Sequence, residues 1–317
     1  MKHVQSFKDF LNDEVNLNQS RLDRLNKSVA TVSDYLSHHL DAFQKVERQG
    51  SYALHTIIKP VNDHEYDADI LLYMDYDRSK PPKDYINEVY QCLKKNQTYA
   101  GKVRRKTRCV VVDYAGDCHL DVVPCITIGS NQYICNRSTN GFEITDGTGF
   151  RDWFNRKNQA TNGSLKRVTR LLKYLRDHKE TFTAPSILLT TLIGNAVDHG
   201  EGDADFRTVP DALVTVSNRI NEFLQSRPSM PEIVNPALPM ENFTRHWDPT
   251  KYRRFRSMFN GYTDRINQAF TESDPQESVR KWRSLFGKNF GASTPKASSS
   301  AAPAPSRVVT PRKPYAR

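Results

Sequence analysis

Gln49-Gly50-Ser51 and the run Glu65-Tyr66-Asp67-Ala68-Asp69-Ile70-Leu71-Leu72, whose first aspartate comes sixteen residues after Ser51, decide how this chain is read. A Gly-Ser pair feeding a short helix can grip a phosphate through backbone N–H groups and a hydroxyl. The second run has the composition of a strand, and aspartates at i and i+2 of a strand leave the same face. Two carboxylates side by side repel each other, a conflict that a divalent cation between them removes. A phosphate grip followed by a metal pair points to nucleotide chemistry.

A third acid strengthens the pattern. Asp121 lies in a second apolar run, Leu120-Asp121-Val122-Val123, separated from Val110-Val111-Val112 by the turn Asp113–Asp117. A carboxylate among Leu and Val on a buried strand is costly unless it is paired or bound to metal. Three carboxylates on adjacent strands behind a Gly-Ser turn make a two-metal phosphoryl-transfer site. Asp113, Asp117, Asp75 and Asp77 are alternatives, but each sits at a turn or beyond a strand end, and Glu65 reads as a strand-edge residue.

The chain has 317 residues, enough for one large or two coupled domains, and its 37% hydrophobic content sits slightly low. No apolar run approaches a membrane span and the start does not read as a signal peptide, so a cytoplasmic protein with no membrane partner is expected. Five cysteines without a C-x-x-C pair read as buried thiols, with a zinc site from Cys118, His119, Cys125 and Cys135 as the second reading. The formal net charge of +10 is divided unevenly: residues 288–317 hold six basic residues and no acid, leaving +4 for the body. A mildly basic body suits nucleoside triphosphate substrates and does not by itself require nucleic acid.

Apolar residues at Leu22, Leu25, Val29, Val32, Leu36 and Phe43 predict one long amphipathic helix from Arg21 to Phe43, a spine. Strands are predicted at Val46–Gly50, Ala68–Met74, Lys102–Tyr114 and His119–Thr127, with a hairpin around Asn131–Thr145 and a helix over Lys83–Lys95. From Gly149 onward the periodicity is helical, with segments near 149–158, 163–179, 184–198, 208–226, 250–271 and 274–286. The expected fold is α+β: a catalytic lobe with a mixed sheet and spine helix over residues 1–148, and a helical lobe over 149–287. Residues 288–317 form a basic Ala/Ser/Pro tail, expected to be disordered.

The order Gly50-Ser51, Asp67-x-Asp69, Asp121 resembles the nucleotidyltransferase fold of DNA polymerase β, poly(A) polymerases and oligoadenylate synthetases. Gln49-Gly50-Ser51-Tyr52-Ala53-Leu54-His55-Thr56-Ile57-Ile58-Lys59-Pro60 with Glu65-Tyr66-Asp67-Ala68-Asp69 more closely resembles the bacterial CD-NTases. These are cGAS/DncV-like enzymes that make cyclic oligonucleotide signals in anti-phage (CBASS) defence. The likeness continues through Leu165–Arg176, Pro185–Leu189, Asn235-Pro236-Ala237 and Glu241–Trp247, and so covers roughly residues 1 to 285.

The resemblance implies that Asp67, Asp69 and Asp121 are catalytic and hold two Mg²⁺ ions, with Mn²⁺ as a substitute. Gly50 and Ser51 are expected to hold the β- and γ-phosphates of a nucleotide, and Gln49 to position their turn. Lys173 matches the lysine that reaches the donor triphosphate, and Ser186 a serine that assists it; Ile187 stands where relatives often place a base-stacking aromatic. The implied product is a cyclic di- or trinucleotide, adenine-rich, made from ATP and other NTPs. Arg104, Arg105 and Lys106 belong to a basic run that could contact nucleic acid, and some relatives need double-stranded DNA as activator. Others need a HORMA-domain regulator. The tail residues Val308, Val309, Pro311, Arg312 and Tyr315 suit a peptide that adds a strand to such a partner. The rival readings are a linear oligoadenylate synthetase and a non-catalytic scaffold for nucleic acid or a partner.

Overall fold

Alternation along the aspartate-bearing strand sets the architecture. The computed structural model describes residues 1–62, 65–114, 118–198 and 205–292. In β2 (Tyr66–Met74) the side chains of Ala68, Ile70, Leu72 and Met74 enter one apolar cluster, while Asp67, Asp69, Leu71 and Tyr73 take the opposite face. β5 (Cys118–Ile128) lies parallel to β2 along all nine residues of β2, as predicted for a mixed sheet, and the other ladders are antiparallel. The main path is β1-β2-β5-β4-β3, with β1 (Phe43–Gln49), β3 (Val103–Arg105) and β4 (Val110–Asp113). The second half of β5 pairs with β6 (Asn131–Asn136), which in turn pairs with β7 (Gly141–Thr145).

The apolar face of the sheet is covered by α2 (Gln19–His39) and α4 (Pro82–Lys95). In α2, Leu25, Val32 and Leu36 are buried and Leu22 and Val29 half-buried, the predicted stripe. Asn18 caps its start, its side-chain oxygen accepting from Arg21 N at 2.9 Å. The helix stops four residues short of the expected Phe43. His38 and His39 donate from Nδ1 to the carbonyls of Asp34 and Tyr35, the chain turns, and Phe43 opens β1 opposite Met74. Phe43 fits a helical stripe seven residues after Leu36, but pairing in the sheet places it.

The predicted strand Lys102–Tyr114 is instead a hairpin. Lys106 N donates to Cys109 O at 2.9 Å and closes the turn between β3 and β4. Continuous valines begin only at Val110, and the polar residues before them turn toward acids rather than extending the strand.

The remaining elements are helical: α5 (Gly147–Ala160), α6 (Ser164–Lys179), α7 (Ser186–Asn195), α8 (Val209–Gln225), α9 (Pro249–Thr271) and α10 (Pro275–Phe286). A short ribbon of β8 (Val234–Asn235) and β9 (Leu238–Asn242) interrupts them, a feature the helical periodicity did not predict. Also unpredicted is α1 (Val4–Phe10), which widens into one looser turn over Leu11–Val15. Although α1 lies within the span expected for the catalytic lobe, Phe7, Phe10, Leu11 and Val15 pack in the cluster of the later helices. Leu54 and Ile58, just after the Gly-Ser turn, join that cluster too. Of the expected tail 288–317, residues 288–292 are described, and there Phe290 is fully buried against Phe7 and Trp282, so this stretch belongs to the helical cluster rather than to a tail. The tail residues Val308, Val309, Pro311, Arg312 and Tyr315 lie outside the described residues, as do Asp117 and the rest of the expected tail.

Candidate active site

Register brings the acids together. Asp69 stands opposite Asp121 across the parallel β2–β5 ladder, and Asp67 opposite His119. Gln49 stands opposite Asp69 from β1, and Val111 opposite Asp121 from β4. Side chains paired in register share a face, so Gln49, Asp69 and Asp121 form one row, with Asp67 a step along β2.

Gly50 begins a one-turn helix, α3 (Gly50–Ala53), directly above this row. Its φ is +57°, and a Cβ built there would lie 2.8 Å from Asp69 Oδ2. Glycine is required both for the backbone conformation and for the close approach. Gln49 leans on Gly147, where a Cβ would come within 2.1 Å of Gln49 Oε1, so Gln49 ties the turn to the start of α5.

The carboxylates differ in surroundings. Asp67 is exposed, Asp69 half-buried and Asp121 only 7% exposed. Burial, then the charges of Asp67 and Asp121, push the Asp69 carboxyl well above the usual range, while Lys106 and Lys173 oppose the rise. Asp121 Oδ2 accepts from Lys106 Nζ at 2.9 Å and from the Cys109 thiol at 3.3 Å; its Oδ1 is buried without a partner. Burial and the nearby Asp121 charge raise Cys109 far above an ordinary thiol, so it stays protonated and donates.

An orphaned carboxylate oxygen beside a second acid, under a glycine whose missing Cβ leaves the approach open, fits a divalent cation with oxygen ligands. Among the described residues no three His, Cys, Asp or Glu side chains close into an ion-holding cluster. The same observation gives the zinc alternative no support: all five cysteines are buried and free, and the His119 ring lies between Glu65 and Asp113. The other candidate acids are engaged elsewhere: Asp113 takes a three-bond fork from Arg104, Asp75 accepts from Gln44, and Asp77 caps Ser79.

A cavity of about 310 Å³ opens over the row, lined by Gln49, Gly50, Asp69 and Asp121 among the expected residues. Ser51, Asp67, Lys173 and Ser186 do not line it. Ile187 does, at the mouth of α7. Lys173 is 4% exposed and donates from Nζ to Thr56 O and Oγ1 at 3.2 and 3.3 Å, in the loop after α3. Burial, then Arg176, lowers it to about 8, against the pull of Asp67, Asp177 and Asp69. Ser186 is exposed and accepts from Arg176 Nη1 at 3.1 Å rather than meeting Lys173.

The basic run is not an open stripe. Arg104 is forked on Asp113, Arg105 donates to Asn87 at 2.7 Å and lies over the Tyr90 ring, and Lys106 holds Asp121. Sequence reasoning gave no role to several residues that do line the cavity. Arg108 makes a bidentate pair with Glu143 at 2.7 and 2.8 Å, and Glu241 is buried while accepting from Thr145, Asn235 and the Asp146 N–H. A lone acid six residues after Asn235, across a Pro-rich turn, was the available signal for Glu241; Arg108 was hidden in a run read as one basic block.

Residues 1–158 match the family model described as Second Messenger Oligonucleotide or Dinucleotide Synthetase domain. A c-di-GMP synthase of Roseivirga ehrenbergii is 28% identical over 310 residues, covering 86% of this chain and 81% of that protein. Among solved structures, CdnC of E. coli MS115-1 with ATP superposes with a TM-score of 0.72 at 20% identity, covering 90% of this chain and 98% of that one. CdnG of Bradyrhizobium diazoefficiens with GTP gives 0.72 at 18% identity, covering 90% and 94%. DncV cyclic AMP-GMP synthase of Vibrio cholerae gives 0.71 at 15% identity, covering 91% and 96%. At these identities the structures speak for the fold, polymerase-β-like with an appended helical part. With the synthetase domain over the Gly50, Asp69 and Asp121 site, the chain belongs to the CD-NTases, the cGAS/DncV-like nucleotidyltransferases that build cyclic oligonucleotides.

Proposed function

We propose that this enzyme joins nucleoside triphosphates, in a Mg²⁺-dependent reaction, into a cyclic di- or trinucleotide that signals in anti-phage defence. The observation that carries the reading is the register of Asp69 against Asp121 beneath Gly50, with Asp121 Oδ1 left free. Asp67, Asp69 and Asp121 are the residues that would hold two Mg²⁺ ions or Mn²⁺. When bound, such ions acidify the attacking hydroxyl and neutralise charge on the leaving pyrophosphate.

The chain's own groups then have separate tasks. Gly50 lets the triphosphate approach the backbone, and the N–H groups and hydroxyl of the Gly50-Ser51 turn orient its phosphates. Lys173 places positive charge behind that turn through Thr56, and Arg176 holds Ser186 at the start of α7. The cavity over Asp121 receives the nucleotide whose ribose hydroxyl attacks the α-phosphorus. A phosphodiester forms as pyrophosphate leaves, and a second such step closes the ring.

The adenine-rich product implied by the family resemblance and the guanine product in the name of the Roseivirga relative make opposite predictions in one assay. Incubation with each labelled NTP and Mg²⁺, phosphatase digestion and mass spectrometry separates them. Phosphatase-resistant product from ATP supports the adenine reading, and from GTP alone the guanine one. A phosphatase-sensitive ladder would establish the linear synthetase, and no product with any NTP, DNA or partner would leave the scaffold.

A HORMA-domain partner is proposed on the strength of the CdnC:HORMA complex among the similar folds and the extended basic composition of Val308, Val309, Pro311, Arg312 and Tyr315. Pull-down with and without residues 306–317 tests it, and undiminished capture sinks the motif. The internal pairing of Arg104, Arg105 and Lys106 makes them a weak foundation for a DNA contact, so DNA activation is tested by adding duplex to the product assay.

A further inference from the structure

The β3–β4 turn has a second use. Of the basic run 102–108, Lys106 alone reaches an acid of the catalytic row, its Nζ 2.9 Å from Asp121 Oδ2. The Cys109 thiol, at the other end of the same turn, donates to the same oxygen at 3.3 Å. The turn is closed by Lys106 N to Cys109 O, and Val111 two residues on stands in register with Asp121. Both contacts therefore come from a framework fixed against the strand that carries the carboxylate. They converge on one oxygen and leave the other, Oδ1, buried and unpartnered.

We propose that Lys106 is a positioning residue for Asp121: a tethered counter-ion that occupies Oδ2, fixes the carboxylate's rotation and presents Oδ1 to a divalent cation. The inference rests on the metal-dependent reading above. Rotating the Asp121 carboxylate breaks two hydrogen bonds at once, so its orientation is set before any nucleotide arrives. Lys106 also offsets part of the negative charge at Asp121, beside Asp69, which stabilises the fold before a cation binds. That cation must then bind against a positive charge already at the site, so the device trades metal affinity for stability and orientation. Because half of the lysine is in water, the trade is moderated by solvent screening.

The test compares full-length wild type with Lys106→Met, Lys106→Arg and Cys109→Ala. Mn²⁺ binding is followed by the electron paramagnetic resonance of free ion, and melting temperature is measured in EDTA and in saturating Mn²⁺. Lys106→Met should bind Mn²⁺ about tenfold more tightly. It should melt lower in EDTA, gain more from Mn²⁺ than wild type does, and lose kcat with little change in KM for NTP. Lys106→Arg should restore wild-type behaviour in each respect. Should Lys106→Met fail to fold in EDTA, Cys109→Ala carries the test: it loosens Asp121 without changing charge, so kcat falls while Mn²⁺ affinity stays. Equal Mn²⁺ affinity and equal Mn²⁺-linked stabilisation in wild type and Lys106→Met, or an unchanged kcat in Cys109→Ala, would overturn the proposal. Wild type that binds no Mn²⁺ overturns the metal reading itself, a different failure.

Discussion

At the scale of single residues, Asp69 has the most distorted chemistry in the acidic row. Its carboxyl is raised by burial and by Asp67 and Asp121. In the metal-free protein the folded chain therefore keeps a proton on Asp69 at pH values where the unfolded chain has lost it. Stability falls as pH rises from the ordinary carboxylate range through the raised value. Asp69→Asn should melt higher than wild type in EDTA at neutral pH, while losing about a thousandfold or more in turnover. A variant that melts lower in EDTA would contradict the electrostatic account. Lys173 moves the other way, from 10.5 to about 8. Between those values the unfolded chain holds a proton the folded chain lacks, so its contribution to stability rises with pH across that window. Its charge, however, is lost above pH 8. The KM for NTP should climb as pH rises past 8, and Lys173→Met should flatten that climb; a parallel climb in the variant assigns the effect elsewhere. Asp67, Asp69 and Asp121 could be read from sequence because acids among alternating apolar residues are conspicuous. Glu241 and Arg108 could not, because their value comes from partners distant in sequence, Thr145 and Glu143.

Elements translate those residues into geometry. The Gly50 turn works because one missing Cβ leaves Asp69 uncovered, and because a positive φ bends β1 into α3. Gly50→Ala adds a methyl 2.8 Å from Asp69 Oδ2 in a left-handed conformation. It should cost about 1–2 kcal/mol of stability from the backbone alone and reduce kcat more than Asp69-independent folding loss explains. Urea melts with parallel single-turnover measurements separate the two effects; normal turnover in a stably folded variant would refute the close approach. The Gly-Ser turn, the acidic strand and the mixed sheet were legible in the sequence because each has a local signature. The hairpin at Lys106–Cys109 was not, since seven mostly basic residues carry no period, and their turn is fixed by contacts with Asp121 and Glu143. The end of α2 was missed for a related reason: Phe43 satisfies two periodicities, and Met74 across the sheet decides between them.

For the molecule as a whole, the candidate site is anchored in two apolar clusters. The sheet packs on α2 and α4, while Leu54 and Ile58, directly after the Gly-Ser turn, are buried with α1 and the later helices. Phe7 holds that second cluster from α1, with ring centroids 4.9 Å from both Trp282 and Phe290. Phe7→Ala should cost about 3–5 kcal/mol, read as a lower melting temperature, with the Asp69 and Asp121 chemistry intact in the protein that remains folded. No helix among the described residues is long and apolar enough to cross a membrane. The central claim, that this architecture closes a ring rather than extending a chain, is tested most directly by stoichiometry. Each phosphodiester releases one pyrophosphate, and a ring has as many phosphodiesters as nucleotides. Pyrophosphate released per nucleotide incorporated, measured on labelled NTP with Mg²⁺, should be one for one. A linear product of n nucleotides releases only n − 1 pyrophosphates, one for every two nucleotides in a dimer and two for every three in a trimer; such a ratio, read against the product length from mass spectrometry, would contradict the account.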